Sequence, residues 1–139
     1  MFPKLLRADN QFFVHLTLAN AETGELTNVS GESSAVEDYS PAWSPDGEWI
    51  AFRRRILGED SSPGTQLWIM RSDGSEARSL TNANGFDHGQ PEWSPGGSYL
   101  LYHRFPLQGP DIVLSVWILE INTGLQFEIA RPGQRPKWG

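Results

Sequence analysis

Three observations predict an all-β chain built from four-stranded propeller blades. The frame Pro-x-Trp-Ser-Pro-x-Gly occurs at residues 41–47 and, fifty residues on, at 91–97, and Arg135-Pro136-Lys137-Trp138-Gly139 begins it a third time. Between the copies lie short runs of β-branched and aromatic residues separated by tight-turn sequences, with no stretch that reads as a long helix. A period of 45 to 50 residues holding four short strands is the length of one blade.

In chain order, Lys4-Leu5-Leu6-Arg7 is a brief apolar strand and Ala8-Asp9-Asn10-Gln11 is turn chemistry. Residues 12–19 form a second strand, and Glu22-Thr23-Gly24 turns the chain into a third at 25–29. The polar, acidic stretch 31–39 reads as a loop leading into the first Trp strand. Ser44-Pro45-Asp46-Gly47 then sets a turn in which Pro fixes φ, Asp bonds back to its own backbone and Gly takes the left-handed position. Glu48-Trp49-Ile50-Ala51-Phe52-Arg53 is nearly continuous in apolar residues, the pattern of a strand covered on both faces. A second long loop is expected over 54–65, followed by a strand at 66–70, a hairpin turn at Ser72-Asp73-Gly74-Ser75 and a strand at 77–81. The next copy repeats this: strand 98–103, loop 105–114, strand 116–119, turn Asn122-Thr123-Gly124 and strand 125–130.

Composition limits the function. With 139 residues, 38% hydrophobic and 12% aromatic, the chain is one domain that buries a core. The absence of cysteine removes disulfides and thiolate metal sites. A net charge of -6 argues against nucleic acid and for a basic or cationic partner. The apolar stretch at 12–18 contains His15 and Thr17 and lacks a cleavage site, so neither a membrane span nor a targeting segment is read. The expected compartment is cytoplasmic, or periplasmic or secreted if the chain is part of a larger protein.

Ser-Pro-Ala-Trp-Ser-Pro-Asp-Gly at 40–47, Trp-Ile-Ala-Phe at 49–52, Gln-Leu-Trp-Ile-Met-Arg-Ser-Asp-Gly-Ser at 66–75 and Ser-Leu-Thr-Asn at 79–82 together resemble the TolB-type, WD40-like β-propeller repeat. They are also similar to the propellers of tricorn-type and prolyl-oligopeptidase-type peptidases. The second copy departs in having Pro95-Gly96-Gly97, and the first unit lacks its Trp strand.

With strands lettered a to d from the axis outward, the chain reads bcd (1–30), abcd (39–81), abcd (90–130) and a final a (134–139). This is a single half-propeller domain of three blades over 1–139. Rings use roughly four to eight blades, and the resemblance implies six. The expectation is therefore a homodimer in which strand a of each copy completes the bcd blade of the other. The alternative is a fragment of a larger propeller.

The resemblance implies that the loops between blades and the b to c loops share one face. Candidate binding residues there and around the channel are Asp38, Glu59, Asp60, Asp87, His88 and Arg135. Asp38 and Asp87 precede a strand a, where an Asp also bonds loop amides. His88 has no second His at metal spacing, and Glu59-Asp60 lacks the regular acidic spacing of calcium loops. Arg53-Arg54-Arg55 reads as a solvated strand end. The recurring Trp43, Trp93 and Trp138 read as packing between blades. No G-x-S-x-G, H-E-x-x-H or phosphate loop is present, so catalytic residues, metal and cofactor are all expected to be none. The expected function is a non-catalytic scaffold that binds a protein or basic peptide through its loop-rich face and channel. The alternatives are the propeller portion of a larger peptidase, hydrolase or envelope assembly, or a propeller that binds a small ligand or metal.

Overall fold

The computed structural model describes residues 2–8, 11–31, 33, 35–58, 64–109 and 113–130, with the backbone alone at 2–8 and 11–14. These residues form three antiparallel sheets and no helix. The first sheet runs β1 (Phe2–Ala8), β2 (Gln11–Ala19), β3 (Leu26–Asn28) in spatial order. The second runs β4 (Val36–Trp43), β5 (Trp49–Ile56), β6 (Gln66–Arg71), β7 (Arg78–Ser79). In the third, β10 (Tyr99–Pro106), β11 (Ser115–Glu120) and β12 (Gln126–Ala130) follow a divided inner strand. Its two pieces, β8 (Phe86–His88) and β9 (Glu92–Trp93), both pair with β10. The inner strand expected at 134–139 lies outside the described residues.

The Trp-Ser-Pro turn is held by its own side chains. Ser44 Oγ accepts the Trp49 N–H at 3.0 Å and donates to the Asp46 carboxylate, which also accepts the Glu48 N–H at 3.0 Å. Those bonds, the one from Ser44 first, lower the pKa of exposed Asp46. Gly47 closes the turn with φ 75° and an N–H to the Ser44 carbonyl. The second copy keeps the Ser94 Oγ bond to the Tyr99 N–H at 3.1 Å, with Gly96 where Asp46 stands.

Two apolar clusters join the sheets. Leu16 and Val29 of the first sheet meet Ile50, Phe52 and Met70 of the second, with Leu18 and Trp68 packed alongside. On its other face, the second sheet sets Ala51, Leu67, Ile69 and Leu80 against Leu100, Tyr102 and Leu119 of the third, with Trp49, Trp93 and Trp117 at the margin. The near-continuous apolar run at 49–52 is thus explained by burial on both faces. Each fully buried Leu, Ile or Phe contributes roughly 1.5–3 kcal/mol. The turn at Gly74 abuts the first sheet so closely that a Cβ there would stand 2.2 Å from the Val29 carbonyl oxygen, and φ is +89°.

Stretches expected as loops prove partly strand. β4 starts at Val36, β5 runs on to Ile56 and β10 to Pro106, so the inner hairpins reach further toward the loop face than composition suggests. The reason is a register shift between Tyr39 and Ala42, where Ser40 takes φ 53°. Beyond this bulge Val36, Glu37, Asp38 and Tyr39 pair with Ile56, Arg55, Arg54 and Arg53.

Candidate functional site

The register defines a recurring position on the inner strands. Asp38 stands opposite Arg54, and His88 opposite Arg104, fifty residues on. Both Asp38 and His88 are completely buried. The strand pairing makes His88 the counterpart of Asp38, as the fifty-residue period does, and Asp87 that of Glu37.

Asp38 holds Arg54 through two bonds, Nε to Oδ1 at 2.7 Å and Nη2 to Oδ2 at 3.0 Å. The guanidinium lies over the Trp68 ring, 4.5 Å from its centroid, so Arg54 belongs to the core and not to a solvated strand end. The spacing carried a signal, since Arg54 shares a strand face with buried Phe52 and Ile50. Across the sheet junction, buried His15 of β2 places Nδ1 3.9 Å from Asp38 Oδ2 and 3.4 Å from Ser30 Oγ.

His88 donates from Nδ1 to the Thr65 carbonyl at 2.8 Å, and its ring lies 5.7 Å from that of Tyr102, tilted by 41°. Burial, with the Arg104 charge adding, pulls its pKa from 6.5 to about 4. At neutral pH the ring is therefore uncharged, with its proton on Nδ1 and an unpartnered acceptor at Nε2.

Asp87 accepts the Thr65 N–H at 2.8 Å and the Thr65 hydroxyl, and lies 3.5 Å from Arg53 Nη2. Arg53 in turn donates from Nε to the His88 carbonyl at 2.7 Å. These groups border a cleft of about 370 Å³ between the second and third sheets, to which Tyr39, Arg55 and Leu107 also contribute. Tyr39 donates its hydroxyl to Glu37. Burial first and that carboxylate second push its pKa to about 12, so it remains a neutral hydrogen-bonding group. Arg55 is exposed and makes no ion pair with a described residue.

Of the six expected binding residues, the structure places Asp87 at this cleft, His88 buried behind it against Tyr102, and Asp38 in the adjoining sheet junction. Glu59, Asp60 and Arg135 lie outside the described residues. The groups facing the cleft that spacing did not single out are Arg53, Arg55, Tyr39 and Thr65. Among the described residues no group of three His, Cys, Asp or Glu converges to hold a metal ion. No helix there is long and apolar enough to cross a membrane.

Comparison with known proteins agrees with this architecture. No protein-family model matches the chain. The putative TolB from Agrobacterium tumefaciens superposes with a TM-score of 0.69 over 94% of this chain and 45% of that one, at 21% identity. The two share a fold. The Pyrococcus horikoshii acylaminoacyl peptidase gives a TM-score of 0.59 over 91% of this chain and 22% of its own, at 18% identity. In sequence, the chain is 39% identical over 78 residues to the uncharacterized peptidase YuxL of Bacillus subtilis, covering 56% of this chain and 11% of that protein. The chain thus spans less than half of each of these relatives.

The YuxL match overturns the expectation of a non-enzyme and favours the alternative of a peptidase's propeller portion. That expectation rested on missing catalytic motifs, and the 78 matched residues make up 11% of that protein, so a search for motifs in this chain leaves most of such a protein unread.

Proposed function

We propose that this chain is the propeller portion of a peptidase, admitting and orienting peptide for hydrolytic residues carried on a separate portion. The observation that carries the proposal is the 39% identity with YuxL. The cleft supports it chemically. Arg53 and Arg55 occupy alternate positions on one strand face, beside the Tyr39 hydroxyl, and together offer donors to the carbonyl or carboxylate oxygens of an extended peptide. Asp87 offers an acceptor within the same cleft, already tied to Thr65 and Arg53, which holds the donors in place.

The test is to recover the protein from its own cells with an antibody against these residues and assay it on short peptidyl nitroanilides. Nitroaniline release that copurifies with the chain is expected. Arg55→Ala should raise KM by about three- to tenfold with kcat unchanged, the signature of lost ground-state binding. A recovered protein without peptidase activity would sink the proposal.

A further inference from the structure

In a chain built by repetition, a residue that the fold requires recurs at the equivalent place in the next copy. The cleft between the second and third sheets is lined in part by residues that do not recur. Tyr39 stands opposite Arg53, and Glu37 opposite Arg55. Fifty residues on, Gly89 donates its N–H to the His103 carbonyl and Asp87 stands opposite Phe105. The third sheet thus sets Gly89 and Phe105 where the second sets Tyr39 and Arg55, and its inner strand pairs in the same way. Strand pairing needs neither the phenol nor the guanidinium, which leaves both for a ligand.

The polar groups of the cleft are unequally occupied. Asp87 Oδ1 takes the Thr65 N–H at 2.8 Å and the Thr65 hydroxyl, and Oδ2 faces Arg53 Nη2 at 3.5 Å. Arg53 spends Nε on the His88 carbonyl at 2.7 Å and on Thr65 Oγ1 at 3.2 Å. Glu37 Oε2 takes the Tyr39 hydroxyl and forms no ion pair with Arg55, although the two are opposite in register. Arg55 is exposed on the same strand face as Arg53, with its donors uncommitted among the described residues. Glu37 and Asp87 match the two arginines in number, so what favours an anion here is not net charge but the direction of these unspent donors.

Shape limits what can enter. The cleft, about 370 Å³, is near the lower end of the roughly 300–1,000 Å³ of small-ligand sites. It is closed on one side, where Gly64 and Leu107 meet from the two sheets. A Cβ on Gly64 would stand 2.9 Å from Leu107 Cδ1 and 2.6 Å from the Phe86 carbonyl oxygen. Such a space takes a chain end or one side chain, not a folded surface.

We propose that the cleft is a carboxylate subsite in which Arg55 reads a carboxylate of a peptide, carried at its C-terminus or on an acidic side chain. That the ligand is a peptide rests on the peptidase reading. The planar fork of Arg55 offers parallel N–H donors to both carboxylate oxygens, and Arg53, fixed by Asp87 and the His88 carbonyl, supplies a second positive charge beside it.

The experiment is surface plasmon resonance on the immobilised full-length protein, where flow renews the peptide and turnover does not distort binding. Three peptides are compared: acetyl-tetraalanine as the free acid, its neutral amide, and the same amide with one alanine replaced by glutamate. At least one carboxylate peptide is expected to bind about tenfold tighter than the neutral amide, and that advantage should fall below twofold in Arg55→Gln. Arg55 is exposed, so the variant leaves the core untouched. An advantage for the free acid assigns the subsite to the chain end, and one for the glutamate peptide assigns it to a side chain. Equal binding of all three, no binding of either carboxylate peptide, or an advantage that survives Arg55→Gln would overturn the proposal. A protein that prefers the carboxylate and releases no nitroaniline would keep this subsite and lose the peptidase reading; one that cleaves without the preference would do the reverse.

Discussion

The second and third sheets place different chemistry at one position. Asp38 meets the problem of a buried polar group by taking Arg54 as a bidentate partner, itself stacked on Trp68. His88, with Arg104 opposite, stays uncharged and spends its single N–H on the Thr65 carbonyl, while Arg104 stacks on Phe86 and Trp117. One junction is built on an ion pair and the other on a neutral ring. What the backbone repeat conserves is the need for a polar contact with the preceding sheet, and the side chain is free to meet it in more than one way.

The largest effect is expected from breaking the ion pair. Asp38→Ala leaves Arg54 buried without its counter-charge and should cost about 3–5 kcal/mol, read from the urea midpoint. The neutral junction should reveal itself through pH. As pH falls through 6.5 the unfolded chain binds a proton at His88, whereas the native chain binds it only near pH 4. Stability contributed by this site is therefore full above 6.5, declines between 6.5 and 4 and levels off below, by about 3 kcal/mol in all. His88→Gln, which keeps a donor and loses the titration, should flatten that part of the curve of melting temperature against pH.

A smaller difference separates Tyr102 from Phe52, which fills the corresponding place in the second sheet. The Tyr102 hydroxyl donates to Gln126 Oε1 at 2.8 Å, and burial raises its pKa. Tyr102→Phe should cost about 1 kcal/mol in the same denaturation experiment, making the two sheets alike at this point. The smallest expected change is a gain. Gly96→Asp copies Asp46 into the second turn at a position with open space around its Cβ. It should raise the melting temperature by less than any of the other substitutions lowers it.

Strand order was legible because it rests on local signals: turn residues between apolar runs, and a Trp frame repeated at blade spacing. The register of the inner strands was not. A residue inserted at the Tyr39/Ala42 bulge shifts every partner beyond it, and Ser40 gives no composition cue that it will adopt a positive φ. Asp38 and Asp87 look alike as acids ahead of a Trp strand, yet the fifty-residue period and the sheet both place His88 at the Asp38 position. Arg54 was misread for a related reason, since three consecutive arginines suggest a solvated end unless the strand is known to continue through them. The likeness to peptidase propellers was legible in the repeat motifs, whereas catalytic motifs gave no sign of it.

The contacts between sheets also have a direction. Asp38 approaches His15, Asp87 and His88 grip Thr65, and Trp93 grips Ala42: in these contacts a side chain of the later sheet reaches a group of the earlier one, while Arg53 and the Thr65 hydroxyl run the other way to the His88 carbonyl. During synthesis the N-terminal sheet leaves the ribosome first, so each new sheet emerges with its anchoring site already assembled. Growth of the fold can then follow growth of the polypeptide, and no sheet has to wait for the one after it to form its contacts with the one before.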